Sequence, residues 1–419
     1  MHAMRGHPNA DEHPEKKVVE AMQPSNVSRG SNEWTSDPGW KLTPRTGIAA
    51  ETRSGSSSGP GSLSVSAFYK APAPIYSSSS QQLLERFPNK AVSPAFVATA
   101  EQYKTYFDMV RREMHKIVVG QDAMIDSLFE ALLSSGHVLV EGIPGIAKTL
   151  LIRTLSIITG CQFSRIQFTP DLLPTDIVGI TTYEEGKGFY TVKGPVFANF
   201  VLADEINRSP PKVQSALLEA MQEKQVTIGK ESFKLPSPFF VMATQNPVEN
   251  LGTYKLPEAQ VDRFIYKLLM DYPSFDEEVS VLHKNITLNT FDDFQLQAVM
   301  NEQKILQAQL DVKQVYMDKK IERYIVRIID ATRNSKKYGI ELGKYIEYGC
   351  SPRSSIALFI ASKAHAFIQG RAYVTPQDVK AIAHHVLRHR LLLNYEGQAE
   401  EIKTDLIIDE ILKKAPIIS

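Results

Sequence analysis

Cysteine is scarce. The chain holds two, Cys161 and Cys350, far apart in sequence. They offer neither metal-ligand spacing nor a disulfide framework, which suits a reducing compartment. Net charge is missing too: 47 basic residues balance 47 acidic ones. A large basic surface for nucleic acid is therefore not expected, although a local patch can hide in a neutral total. No apolar run is long enough to cross a bilayer, and residues 1–6 open no apolar signal core. These absences predict a cytoplasmic protein without a membrane span. What is present, 43% hydrophobic and 22% charged residues over a chain of 419, describes a globular protein able to bury substantial cores. The length suggests about two or three domains.

Residues 1–94 stand apart. Gly55-Ser56-Ser57-Ser58-Gly59-Pro60-Gly61-Ser62 and the serines at 77–80 dominate a stretch with few apolar residues and no sustained period. Such a segment cannot bury enough surface to offset its chain entropy, so a disordered or linker-like tail is expected. A partner-binding or localising tail and an expression remnant are the alternatives. Order should begin near Ala95, where Phe107, Val110, Met114 and Ile117 recur at helical spacing. Segments at 137–140, 162–168, 200–203, 239–243 and 265–270 read as continuous apolar strands between helices at 149–159 and 211–223. That pattern implies a buried, doubly wound parallel sheet, with ligands at the carboxyl ends of its strands. Residues 180–192 and 225–235 read as hairpins. Past Pro273 helical periodicity takes over, as in Ile321-Tyr324-Ile325-Ile328-Ile329, with Pro352 and Pro376 near helix starts. The expected domains are therefore the tail (1–94), an α/β domain (95–273) and a smaller, separate all-α domain (274–419).

Chemistry is concentrated at Gly142-Ile143-Pro144-Gly145-Ile146-Ala147-Lys148-Thr149, between an apolar strand and a helix. This is the layout of a phosphate-binding loop. Glycines let backbone N–H groups converge on phosphate oxygens, and the helix N-terminus adds partial positive charge. Lys148 suits the β- and γ-phosphates, and the Thr149 hydroxyl suits Mg²⁺. The general pattern has Gly before the lysine. Ala147 is expected to be tolerated through a negative φ, since only positive φ calls for Gly. The strand at 200–203 ends in Asp204-Glu205, the complement such a loop needs. Asp204 suits Mg²⁺, usually through water, and Glu205 suits the water that attacks the γ-phosphate. A nucleoside triphosphate is thus the expected ligand and its hydrolysis the expected reaction.

These strings, with Leu202-Ala-Asp-Glu-Ile-Asn-Arg-Ser-Pro-Pro-Lys-Val-Gln, Ala243-Thr-Gln-Asn-Pro, Leu256-Pro-Glu-Ala-Gln-Val-Asp-Arg-Phe and Ser351-Pro-Arg, resemble the MoxR group of AAA+ ATPases from about Ala95 to the C-terminus. Ala147 before the lysine resembles that group as well. The resemblance implies an AAA+ P-loop domain followed by a helical lid, with ATP and Mg²⁺ as cofactors. By motif position it implies that Asn246 is the sensor-1 residue, Arg263 the arginine finger and Arg353 the sensor-2 residue. It places Val118, Val119 and Gly120 at the adenine, and Gly142, Pro144, Gly145, Ile146, Ala147, Lys148, Thr149 and Leu150 around the phosphates. Arg208 is left open between a subunit interface and a local ion pair. The two hairpins resemble inserts that face the pore or substrate in ring ATPases, with Phe189 and Tyr190 foremost.

The function implied is ATP hydrolysis by a chaperone-like remodelling or maturation factor. Implied partners are further copies in a homo-hexamer, a von Willebrand factor A domain protein and client proteins. The alternatives are a chelatase-like motor subunit for metal insertion and a nucleotide-switched regulator with little turnover.

Overall fold

A computed structural model describes residues 93–417, except 144, 146, 187, 248–251 and 285–290. The tail expected at 1–94 therefore lies, up to residue 92, outside the described residues. Helix α1 (Pro94–Met114) starts slightly ahead of Ala95, because Ser93 caps it and Pro94 occupies its first turn. Ile117, expected on the same helix, is buried just beyond its end. Helix α2 (Asp122–Leu133) follows a break that contains left-handed Gly120 and Gln121.

The expected strands form one parallel sheet. They are β1 (Val138–Gly142), β2 (Phe163–Gln167) and, after the hairpin of β3 (Gly179–Glu184) and β4 (Gly188–Lys193), β5 (Phe200–Asp204). A second hairpin, β6 (Gln225–Ile228) with β7 (Glu231–Lys234), precedes β8 (Phe240–Gln245) and β9 (Tyr266–Met270). The order across the sheet is β2-β5-β8-β1-β9, with every neighbouring pair parallel. Successive side chains point to opposite faces of a strand. Val138, Val140, Phe200, Leu202, Phe240 and Met242 thus enter one apolar cluster, while Leu139, Val201, Ala203, Val241 and Ala243 enter another. Helix α3 (Lys148–Ile158) covers the first face, and α5 (Pro211–Glu223) covers the second. Two short helices, α4 (Pro174–Val178) and α6 (Glu258–Val261), complete the α/β part.

The C-terminal part is built from α7 (Phe275–His283), α8 (Glu302–Gln314), α9 (Lys319–Arg333), α10 (Pro352–Ile368), α11 (Pro376–Leu387), α12 (Tyr395–Ala399) and α13 (Thr404–Lys414). Its starts are written locally. Ser274 with Glu277 and Thr375 with Asp378 form reciprocal capping boxes, and Pro352 and Pro376 sit in first turns. Ile321, Tyr324, Ile325, Ile328 and Ile329 line the buried face of α9. Two findings refine the expectation of a separate all-α domain. A short antiparallel pair, β10 (Ile346–Tyr348) with β11 (Leu392–Leu393), joins the helices. The apolar cluster on the first face of the sheet also runs without interruption into these helices. Among the described residues no helix is long and apolar enough to cross a membrane.

Candidate nucleotide site

Parallel register sets the site. It pairs Gln167 with Asp204, Ala203 with Ala243, and Val140 with Thr244, so the carboxyl ends of β2, β5, β8 and β1 finish side by side. β1 runs straight into the glycine-rich loop, and α3 begins at Lys148. The loop therefore lies at the same sheet edge as the acidic pair, although β8 stands between β1 and β5.

Electrostatics ties the two together. Burial pulls the Lys148 pKa below its ordinary value, against the carboxylates of Asp204, Glu205 and Glu141, which favour the ammonium form. Lys148 Nζ itself donates to the Gly142 carbonyl at the loop's entrance. Thr149 and Leu150 follow on the first turn of α3, both half-buried. Pro144 and Ile146 lie outside the described residues.

Backbone conformation at the loop departs from expectation at one residue. Ala147 does not keep a negative φ; it adopts φ 63°, ψ 24° as the N-cap of α3. A turn into the left-handed region is what points successive N–H groups to one side at the mouth of the helix. An alanine there costs on the order of 1–2 kcal/mol relative to ordinary helical backbone. Gly145 is also left-handed at φ 85°, and the space a Cβ would enter is open. Glu205 is a third case, at φ 55° and ψ 49°. Its N–H donates to Thr244 Oγ1 at 2.8 Å, which holds the chain in that sparsely populated turn.

Both acids are held by neighbours. Asp204 Oδ1 accepts from Thr244 Oγ1 at 2.7 Å. Its Oδ2 accepts from Arg165 Nη2 at 2.7 Å and Nε at 3.2 Å. Glu205 Oε2 accepts from Gln167 Nε2 at 3.0 Å and from Arg208 Nη1 at 2.9 Å. Arg208, left open by the sequence, thus forms a local ion pair. Sequence reasoning missed Arg165, Gln167 and Thr244. Strand order alone brings β2 and β8 to the flanks of β5, and no local motif announces it. Asn246 is buried one residue past β8, directly after Gln245, which pairs with Glu141 of β1.

The remaining predicted residues lie on other elements. Val118 is buried, and Val119 and Gly120 are half-buried in the connection from α1 to α2. Gly120 has φ 62°, and a Cβ on it would collide with the Glu277 carboxylate of α7. Arg263 and Arg353 have their partners elsewhere. Arg263 Nη1 donates to the Leu218 carbonyl on α5 at 2.9 Å, beside a cavity of about 390 Å³ lined also by Ser215, Glu219 and Gln260. Arg353 opens α10 and faces Asp262 at 3.7 Å.

The donor set matches magnesium in kind. Thr149 and Asp204 each offer a hard oxygen, from a hydroxyl and a carboxylate. Mg²⁺ is commonly held that way, by one or two protein oxygens plus water and substrate phosphates. The loop's amides and Lys148 match a polyphosphate.

A parallel sheet of this order, with a phosphate loop after its first core strand, an acidic pair after its third and a helical lid, defines an AAA-type ATPase fold. Residues 137–266 match the family model described as the ATPase family associated with various cellular activities (AAA). Residues 343–411 match the AAA lid domain. The chain is 46% identical over 311 residues to the protein named Chaperone MoxR1 of Mycobacterium tuberculosis, spanning 72% of this chain and 79% of that one. It is 43% identical over 307 residues to YeaC, an uncharacterized protein of Bacillus subtilis, spanning 73% and 93%. A crystal structure of a presumed ATPase from Cytophaga hutchinsonii matches with TM-score 0.72 and 46% identity, covering 76% of this chain and 97% of that one. The chain belongs to the MoxR family of AAA+ ATPases.

Proposed function

We propose that the protein hydrolyses ATP with Mg²⁺ and uses the cycle to remodel or mature client proteins in the manner of a chaperone. One observation carries the catalytic part: parallel register brings the carboxyl ends of β1 and β5, and with them the glycine-rich loop and Asp204-Glu205, to the same edge of the sheet although β8 separates the two strands. In this reading Gly142, Pro144, Gly145, Ile146, Ala147, Lys148 and Leu150 surround the phosphates. Val118, Val119 and Gly120 flank the adenine. Thr149 and Asp204 hold Mg²⁺, which when bound offsets charge on the β- and γ-phosphates. Glu205 orients the attacking water, and Asn246 contacts water and the γ-phosphate. Gln167 and Arg208 both donate to Glu205 Oε2, which orients the carboxylate and leaves Oε1 to accept from the attacking water.

Arg353 senses the γ-phosphate from the lid, and Arg263 serves the site of a neighbouring copy. Loss of the γ-phosphate then changes what Asn246 and Arg353 can touch, and that difference in contacts turns the lid. The assembly proposed is a homo-hexamer in the cytoplasm, working with a von Willebrand factor A domain protein. The name Chaperone MoxR1 carried by a relative supports the client role. So does the exposed β3–β4 hairpin, which carries Tyr183, Phe189 and Tyr190 in solvent.

The test uses calorimetry and steady-state phosphate release. Lys148→Ala abolishes Mg-ATP binding; unchanged affinity refutes the loop assignment. Glu205→Gln keeps ATP binding and slows turnover by about 10²- to 10⁴-fold. Near-normal phosphate release in that variant removes Glu205 from its role.

A further inference from the structure

Asp262 stands at the end of α6, one residue before Arg263, and both its carboxylate oxygens face the helical part. Oδ1 accepts from Arg390 Nε at 2.6 Å. Oδ2 accepts from the Ser351 hydroxyl at 3.3 Å and lies 3.7 Å from Arg353 Nη1. The two arginines are held very differently. Arg390 is buried, and it also donates to the carbonyls of Asp262, Phe264, Ile265 and Val386. A guanidinium with that many acceptors is fixed in place. Arg353 has a side chain 55% exposed and meets Asp262 at the outer edge of ion-pair range. One carboxylate therefore combines a permanent partner with an exchangeable one.

We propose that Asp262 is a latch for Arg353: it holds the arginine whenever no γ-phosphate is present and yields it when a nucleoside triphosphate binds. This rests on the reading of Arg353 as the residue that reaches the γ-phosphate. Asp262 touches no nucleotide and is a positioning residue. The γ-phosphate carries more negative charge than one carboxylate and, at the position Arg353 reaches in that reading, draws the arginine away, while Arg390 keeps Asp262 in place. The latch opposes ATP binding and leaves ADP binding alone, because with ADP there is nothing for Arg353 to move to. Its strength is that of an exposed ion pair, about two- to fivefold in affinity.

The experiment is calorimetry with Mg-ADP and a slowly hydrolysed Mg-ATP analogue on wild type, Asp262→Asn, Arg353→Ala and the double variant. Asparagine at 262 can still accept from Arg390, so the fixed contact persists. Asp262→Asn binds the ATP analogue about two- to fivefold more tightly, binds ADP as before, and brings no gain in the Arg353→Ala background. A gain shared equally by ADP, a gain that survives without Arg353, or no gain at all overturns the latch. Arg353→Ala binding the analogue as well as wild type overturns the parent reading, and the latch with it. Weaker binding by Arg353→Ala without any gain from Asp262→Asn overturns the latch alone. If Asp262→Asn melts below the assay temperature, Asp262→Glu replaces it. That variant keeps the charge but shifts it by one methylene. It changes the ratio of ATP-analogue to ADP affinity only when Arg353 is present, and an unchanged ratio overturns the proposal.

Discussion

At Ala147 one methyl group decides what the loop can tolerate. The residue is left-handed, so its Cβ carries a steric cost that glycine would not. Glycine gains that freedom in the unfolded chain as well, and the two effects nearly cancel. Ala147→Gly should therefore change unfolding free energy by less than about 1 kcal/mol. Ala147→Val puts a β-branched side chain in the same turn and should destabilise by at least about 1 kcal/mol. Urea titration of the unliganded variants checks both, and a valine variant as stable as wild type would show that the turn relaxes. Glu205 is the companion case. Its left-handed backbone is held through Thr244, which also donates to Asp204, so one hydroxyl positions both acids.

At the level of elements, α9 and the β3–β4 hairpin illustrate opposite uses of apolar residues. Helix α9 turns Ile321, Ile325, Ile328 and Ile329 into the core that the sheet shares with the lid. The hairpin leaves Phe189 79% exposed, with an edge-to-face contact to Tyr183 at 5.2 Å. Ile328→Ala should cost about 2–5 kcal/mol through lost burial and a residual cavity. Phe189→Ser should change stability by no more than about 0.5 kcal/mol. Denaturant midpoints of the two variants separate these expectations. A large loss at Phe189 would mean the ring is structural rather than offered to a client. Both elements were legible in the sequence, from helical spacing of apolar residues in one and two strand-like runs flanking Gly186 and Gly188 in the other. The outward aim of the hairpin came from the family resemblance and not from its residues, because a strand-turn-strand pattern leaves open which side faces the body of the protein.

For the whole molecule, the separation of Arg263 from Lys148's surroundings matters most. Its guanidinium is directed at α5, on the second face of the sheet, while α3 with Lys148 covers the first. If Arg263 completes a neighbouring site, mixing Arg263→Ala with Glu205→Gln subunits should restore part of the hydrolysis that each lacks alone. Some interfaces then pair an intact Glu205 with an intact Arg263. Phosphate release from the mixture measures this, and no rescue would argue against action between copies. The sequence by itself determined the phosphate loop, the acidic pair, the buried parallel strands and the helix starts. Each is written in a short contiguous stretch, where spacing and apolar period act locally. Tertiary structure alone decided that Gln167 and Thr244 flank the acids, that Ala147 turns left-handed, and that Asp262 meets Arg390 from 128 residues away. The first and last follow from strand order and long-range packing, which no local pattern of residues encodes; the turn at Ala147 is local, but an alanine does not announce it as a glycine would.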